Sequence, residues 1–321
     1  MTSRITTETT ETLDEGVAVV EGAPSPWWTR RGESRGLLSI FSDLVALTKP
    51  RITALVVTTT ASGLWLGARE LGERPKAASA ALALLGTVVV VAGANALNMY
   101  LERDSDGLME RTKDRPLPAG RLPAEAALVL GMVCSAVSLP LLTFGVNAAA
   151  GLLAAIALLS YVLVYTPMKR KSPAALLVGA VPGAIPPLLG WAAATGGIGW
   201  PGLALFGLLF FWQIPHFLAI ATFRREDYAR AGLQVLPNVR GDAVTRRHAL
   251  AHSVALFAVT LSLTPVAGPV YLATAVVLGL GFLGLAAWGL APSAGQTWAK
   301  SLFAYSIAYL TLMLVVLAIG A

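Results

Sequence analysis

The sequence predicts an all-α polytopic membrane protein, a bundle of nine transmembrane helices. Three observations predict it. The 321 residues are 55% hydrophobic and only 13% charged, whereas a soluble domain sits near about 25% charged. Mean hydropathy is +0.67. The charges are also gathered into short segments. They leave six stretches without Asp, Glu, Lys or Arg: 52–68, 77–101, 126–168, 172–223, 248–299 and 301–321. A helix needs about 20 apolar residues to cross the hydrocarbon core. Three of the stretches therefore hold one span each, and three hold two. An ordinary soluble enzyme is excluded, and the length leaves no room for a soluble domain beside the bundle.

The elements follow in order. Spans are placed near 45–68, 77–101, 124–144, 148–166, 174–195, 202–222, 249–267, 270–292 and 301–320. The double stretches divide where Gly, Pro or Asn accumulate: at Phe144 to Asn147, at Thr195 to Gly197 and at Thr264 to Pro269. Residues 1–35 are rich in Thr and Glu and poor in large aliphatic side chains. They read as a disordered cytoplasmic tail, with no apolar core of a signal peptide near its start. Trp27 and Trp28 are candidates for an interfacial contact. The domain proper is 36–321. Cys134, the one cysteine, falls inside an apolar span and reads as a small core residue.

The net charge of +6 raises the question of nucleic acid, and its distribution answers it. With these spans, alternate loops carry almost all the Lys and Arg, and the loop at Arg69 to Lys76 is the exception. Cationic loops stay cytoplasmic. The N-terminus is therefore placed inside and the C-terminus outside, in a cytoplasmic (inner) membrane, with no nucleic-acid partner.

Two of the cytoplasmic loops mix both signs of charge. In the first, Asn98, Glu102 and Asp106 are spaced i, i+4, i+8. On a helix that puts all three on one face, while Asp104 points elsewhere. Such a face needs an offsetting charge. One reading is a surface web with Arg103, Arg111, Lys113 and Arg115, worth little per pair. The other is a divalent cation. Mg²⁺ takes one or two carboxylates and completes its shell with water and phosphate oxygens, and Arg111, Lys113 and Arg115 would then clamp phosphate. The second loop repeats the mixture, with Glu226 and Asp227 beside Arg224, Arg225 and Arg230. Lys169, Arg170 and Lys171 add cations on the same side, and so do Lys49 and Arg51.

The run Asn98-x3-Glu102-x3-Asp106-x2-Met109-x-Arg111-Thr112-x2-Arg115-x4-Gly120 resembles the signature of the intramembrane (UbiA-type) prenyltransferases. Further segments are similar to the branch of that family that farnesylates heme. They are Lys49 to Ile52, Tyr165 to Arg170, Gly179 to Pro187, Trp212 to His216 and Glu226 to Gly232. The resemblance covers roughly 45–310. It departs at Ser105, where an aliphatic residue is usual, at Glu102, where Asp is common, and at Ala175, where Asn often stands.

The resemblance implies a nine-helix bundle and Mg²⁺-dependent transfer of farnesyl from farnesyl diphosphate to a vinyl group of heme B. Asn98, Glu102, Asp106 and Asp227 would hold the metal and carry the catalysis. Arg111, Lys113, Arg115, Lys169 and Arg170 would hold the diphosphate. His216 is the candidate heme contact, either as an iron ligand or as a hydrogen-bonding partner. Heme enters as substrate, the lipid bilayer as surroundings, and a heme A synthase or a terminal oxidase assembly factor as a candidate protein partner. His248 and His252 share a helical face without a carboxylate beside them, and read as interface-facing. Two other functions stay open: a prenyltransferase for a phenolic acid or quinone precursor, and a transporter with Gly- and Pro-interrupted helices.

Overall fold

The computed structural model describes residues 36–74 and 76–320. The tail expected over 1–35, with Trp27 and Trp28, lies outside the described residues. Helices make up the regular structure of the described residues. In chain order they are α1 (Leu37–Leu47), α2 (Pro50–Glu70), α3 (Ala77–Asp106), α4 (Ala124–Gly145) and α5 (Ala148–Leu159). α5 widens into a π-helical turn, Ser160–Tyr165, and continues as the short α6 (Thr166–Met168). Then come α7 (Ala175–Thr195), α8 (Trp200–Phe223), α9 (Arg225–Arg230), α10 (Leu236–Ser262), α11 (Thr264–Trp288) and α12 (Gly295–Gly320).

Among the described residues, seven stretches are long and apolar enough to cross a membrane: α3, α4, the continuous α5–α6 stretch, α7, α8, α11 and α12. The count expected from the sequence was nine. α2 and α10 are the difference, and composition explains both. α2 is 21 residues long, but Thr58, Thr59, Thr60 and Ser62 dilute its hydropathy. Each of these hydroxyls donates to a carbonyl one turn back in the same helix, at 2.8–3.0 Å, so the polar atoms are satisfied within the helix. α10 is 27 residues long, but Arg240, Asp242, Arg246 and Arg247 stand near its start, and Gly241 breaks it with φ 75°. The first span also starts later than expected. Lys49 interrupts the helix, and α2 begins at Pro50, where a missing N–H costs nothing.

α7 holds the bundle together through small residues. A Cβ on Gly190 would lie 1.9 Å from the Thr60 carbonyl oxygen, and one on Gly63 would lie 1.9 Å from that of Pro187. The backbones of α2 and α7 therefore touch, as small residues permit between membrane helices. On one side of α7 a core of Leu64, Leu142, Leu153 and Leu189 joins α2, α4 and α5. On its other side Trp191, Leu205, Tyr271, Phe282, Trp298 and Tyr309 join α8, α11 and α12. The outer faces carry exposed apolar side chains such as Phe144, Val129, Val270 and Val277, as lipid contact requires.

Candidate active site

The site is assembled at the junctions between helices. Lys49 lies in the turn before α2. Asn98, Glu102 and Asp106 end α3. Thr166 and Lys169 follow the π-helical turn. The spacing that predicts one face for the three α3 residues is realised: they are 1%, 9% and 1% exposed. Each meets a cation from a different segment. Lys49 Nζ donates to Asn98 Oδ1 at 2.8 Å. Lys169 Nζ donates to Glu102 Oε1 at 2.8 Å. Arg115 donates to Asp106 Oδ2 at 2.6 Å. Asn98 also donates to Thr166 Oγ1 at 3.2 Å.

Local sequence sets each partner. Lys49 is the one non-glycine residue with positive φ among the described residues, at 49°. That conformation costs of order 1 kcal/mol for a side chain with a Cβ. The turn is held from both sides: the Thr48 carbonyl accepts from Asn95 Nδ2 at 3.1 Å and from Thr53 Oγ1 at 2.8 Å. Burial, together with the Arg115 and Lys169 charges, pulls the Lys49 ammonium down to about 7. Pro167 has no N–H and crowds the carbonyl one turn back, and the π-helical turn lies immediately before it. That turn carries Tyr161 and Tyr165 on the cavity wall, and Thr166, which follows it, accepts from Asn98. The Lys169 ammonium stands 4.4 Å from the Tyr165 ring centre. Burial opposes its charge, but Tyr165, Glu102 and Tyr161 outweigh that and hold it above the ordinary lysine range. The loop after α3 is fastened by Thr112, whose hydroxyl donates to the Asp106 carbonyl at 2.7 Å, and by Arg121, which pairs with Asp43 of α1 at 3.0 Å.

A cavity of about 550 Å³ opens beside these residues. Glu102, Asp106, Arg111, Arg115 and Lys169 form the charged part of its wall. Leu55, Val56, Leu158, Ile185 and Leu189 are among its apolar lining, and Gln213 and His216 reach it from α8. A Cβ on Gly183 would lie 2.0 Å from Gln213 Oε1, so the absence of a side chain there makes room for the glutamine. Tyr228 of α9 also lines the cavity, and burial raises its phenol, keeping it a proton donor.

The remaining candidates lie elsewhere. Asp227 pairs with Arg230 of its own helix, with Arg224 3.7 Å away, and is not on the cavity wall. Lys113 pairs with Glu110 at 2.6 Å on the exposed loop. Arg170 is exposed and does not line the cavity. His252 Nδ1 contacts the His248 carbonyl at 2.7 Å, and the two rings stack away from the cavity. Sequence reasoning missed Tyr161, Thr166, Gln213, Tyr228 and Ser306. For Tyr161 and Thr166 the signal was Pro167 beside two tyrosines; Ser306 had none, being a small polar residue in an apolar helix.

Two carboxylates and an amide oxygen on one buried face suit a hard cation that takes the rest of its shell from phosphate and water. Among the described residues, no three Asp, Glu, His or Cys side chains are grouped so as to hold a metal ion by themselves. Glu102 and Asp106 line the cavity and fit an open, substrate-completed site; Asn98 shares their helix face but is not on the cavity wall, and Asp227 is not gathered with them.

Residues 55–308 match the model of the UbiA prenyltransferase family. The chain is 53% identical over 280 residues to a protoheme IX farnesyltransferase of Sorangium cellulosum, covering 83% of this chain and 100% of that one. It is 48% identical over 291 residues to one of Myxococcus xanthus, covering 90% and 97%. Among solved structures, the fold is similar to that of a digeranylgeranylglyceryl phosphate synthase, with TM-score 0.76 at 17% identity, over 88% of this chain and 98% of that one. It is also similar to a UbiA homolog from Archaeoglobus fulgidus bound to DMAPP and Mg²⁺, with TM-score 0.60 at 18% identity, over 84% and 99%.

Proposed function

The chain belongs to the UbiA prenyltransferase family, and from that premise we propose that it transfers a farnesyl group from farnesyl diphosphate to a vinyl group of heme B. The bond between the farnesyl C1 and the diphosphate oxygen breaks, C1 bonds to the terminal vinyl carbon, and water adds to the other vinyl carbon, its spare proton leaving with diphosphate, to give a hydroxyethylfarnesyl chain. The observation that carries this reading is the buried row Asn98, Glu102, Asp106 with its three cations, of which Glu102, Asp106, Arg115 and Lys169 line a largely apolar cavity. The roughly half-identical relatives supply the acceptor.

Arg111, Arg115 and Lys169 hold the diphosphate oxygens, since they line the cavity beside the carboxylates. Lys113 and Arg170, which are exposed, draw the anion toward the mouth. Asn98, Glu102 and Asp106 hold Mg²⁺, as do carboxylates in metal-diphosphate sites generally; the homolog from Archaeoglobus fulgidus binds Mg²⁺ with DMAPP. When bound, Mg²⁺ supplies neutralisation of the charge that develops on the leaving diphosphate. Asp227, paired with Arg224 and Arg230 beside Tyr228 of α9, is the fourth residue that would join the metal set. The apolar wall takes the farnesyl chain and keeps water from the allylic cation. His216 contacts the heme.

This is a multi-pass membrane enzyme. Its α2 and α10 join the seven clear spans to make nine, with the N-terminus cytoplasmic and the C-terminus outside in the cell's inner membrane. The product passes to a heme A synthase or an oxidase assembly factor. The acceptor is tested by incubating purified protein with farnesyl diphosphate and either heme B or a phenolic acid. Prenylated heme is expected. Prenylation of the phenol alone would overturn the acceptor and leave only the family.

A further inference from the structure

We propose that Ser306 of α12 is a positioning residue, which fixes His216 as its Nδ1–H tautomer and so presents the bare Nε2 lone pair to the cavity as a ligand for heme iron. This rests on the heme reading above and names how that acceptor is held.

The hydrogen bonds decide the tautomer. Ser306 is wholly buried and His216 is 9% exposed. His216 Nδ1 lies 2.7 Å from Ser306 Oγ, and Ser306 Oγ lies 2.6 Å from the Phe303 carbonyl oxygen. A carbonyl can only accept, so the single serine proton is committed to Phe303. The hydroxyl then accepts from the ring, and the ring proton sits on Nδ1. A neutral imidazole protonated at Nδ1 has an unprotonated Nε2. Among the described residues Nε2 has no hydrogen-bond partner, and His216 lines the cavity.

Ser306 also fixes the ring's plane. Its carbonyl accepts the Trp212 indole N–H at 2.7 Å. The Trp212 ring stacks on His216 with centroids 4.7 Å apart and planes 24° apart. Phe303 lies at 4.9 Å and Phe217 at 5.3 Å. Three aromatic rings and one serine therefore leave the imidazole little freedom. A ligating histidine characteristically donates its other nitrogen to a fixed acceptor, which sets the tautomer and strengthens the ligand. An oriented lone pair in an apolar cavity is costly unless something accepts it, and an iron atom at the centre of a flat macrocycle is such a group.

The test begins without heme. The chain has three histidines, so a full-length His248→Gln, His252→Gln variant labelled with ¹⁵N-histidine reports on His216 alone. A pyrrole-type Nδ1 and a pyridine-type Nε2 are expected; the opposite tautomer overturns the assignment. Ferric heme B is then added to the unmodified protein, and the Soret band is followed. Ser306→Ala should weaken heme binding about tenfold, the lower end of what loss of such a supporting partner costs a ligand site. It should also move the band toward that of His216→Ala, and Ser306→Thr should restore both. Farnesyl diphosphate binding should be unchanged in Ser306→Ala. A Soret band that depends on His216 but ignores Ser306→Ala overturns the positioning role. A band independent of His216 overturns the ligation. Failure of the unmodified protein to bind heme would instead overturn the acceptor reading, whatever the tautomer.

Discussion

Lys169 Nζ lies 2.8 Å from Glu102 Oε1, across 67 residues of sequence, and both side chains are largely buried. Removing one member of such a pair strands the other charge, which typically costs about 3–5 kcal/mol. Lys169→Gln should therefore lower both stability and activity. The double variant Glu102→Gln, Lys169→Gln should recover most of the stability and none of the activity. Thermal unfolding in detergent, with turnover measured beside it, checks this. Recovery of turnover in the double variant would show that the pair serves only the fold.

Lys49 supplies a second case. Its left-handed backbone favours glycine, while its ammonium reaches Asn98. Lys49→Gly should leave the melting temperature within a few degrees of the unmodified protein, because about 1 kcal/mol of relieved strain offsets the lost hydrogen bond of about 1 kcal/mol. Turnover should fall about tenfold, as loss of roughly 1.4 kcal/mol at the site would give. Turnover equal to that of the unmodified protein would reduce Lys49 to a topology signal.

Two glycines make a controlled pair. Gly190→Ala would place a Cβ 1.9 Å from the Thr60 carbonyl, whereas Gly284→Ala meets nothing within 4 Å. The first should destabilise by about 1–3 kcal/mol or more through overpacking. The second should be neutral or stabilise by about 0.5–1 kcal/mol, the helical gain of alanine over glycine. Equal melting temperatures would contradict the close contact of α2 with α7.

Topology is read by labelling. In a Cys134→Ser background, a cysteine at Gly197 should react with an impermeant reagent added outside cells, and one at Lys113 should not. Labelling of both from one side would overturn the nine-span arrangement.

Much of this was legible in the sequence. The Asn98, Glu102, Asp106 face required only the helical period, because α3 runs unbroken from Ala77 to Asp106. The cations on it were less legible: Arg115 and Lys169 stood out as charges, but nothing local said which carboxylate each would meet. Lys49 read only as one of a cytoplasmic cation pair at the start of the first span, since its reach to Asn98 depends on a turn held by Asn95 from another helix. Thr166 depends on the π-helical turn, which shifts the side chains that follow it off the ordinary helical register. Ser306 is invisible to pattern, as a serine bonded within an apolar helix resembles any other. Asp227 shows the converse. Its charge and neighbours suggested a metal ligand, and in the structure it is paired with arginines of its own segment.

The central claim is that the buried carboxylate row drives farnesyl transfer to heme. The most direct measurement is mass spectrometry of hemes extracted from cells expressing the chain or its Asp106→Asn variant. Asn keeps an oxygen for Arg115 but leaves its charge unpaired, which lowers stability, so the comparison is made on folded protein. Loss of one preorganised charge contact at a reacting centre costs about 100-fold or more. The account predicts a hydroxyethylfarnesyl heme from the unmodified chain and almost none from the variant at matched protein levels. Equal amounts of farnesylated heme from both would contradict it.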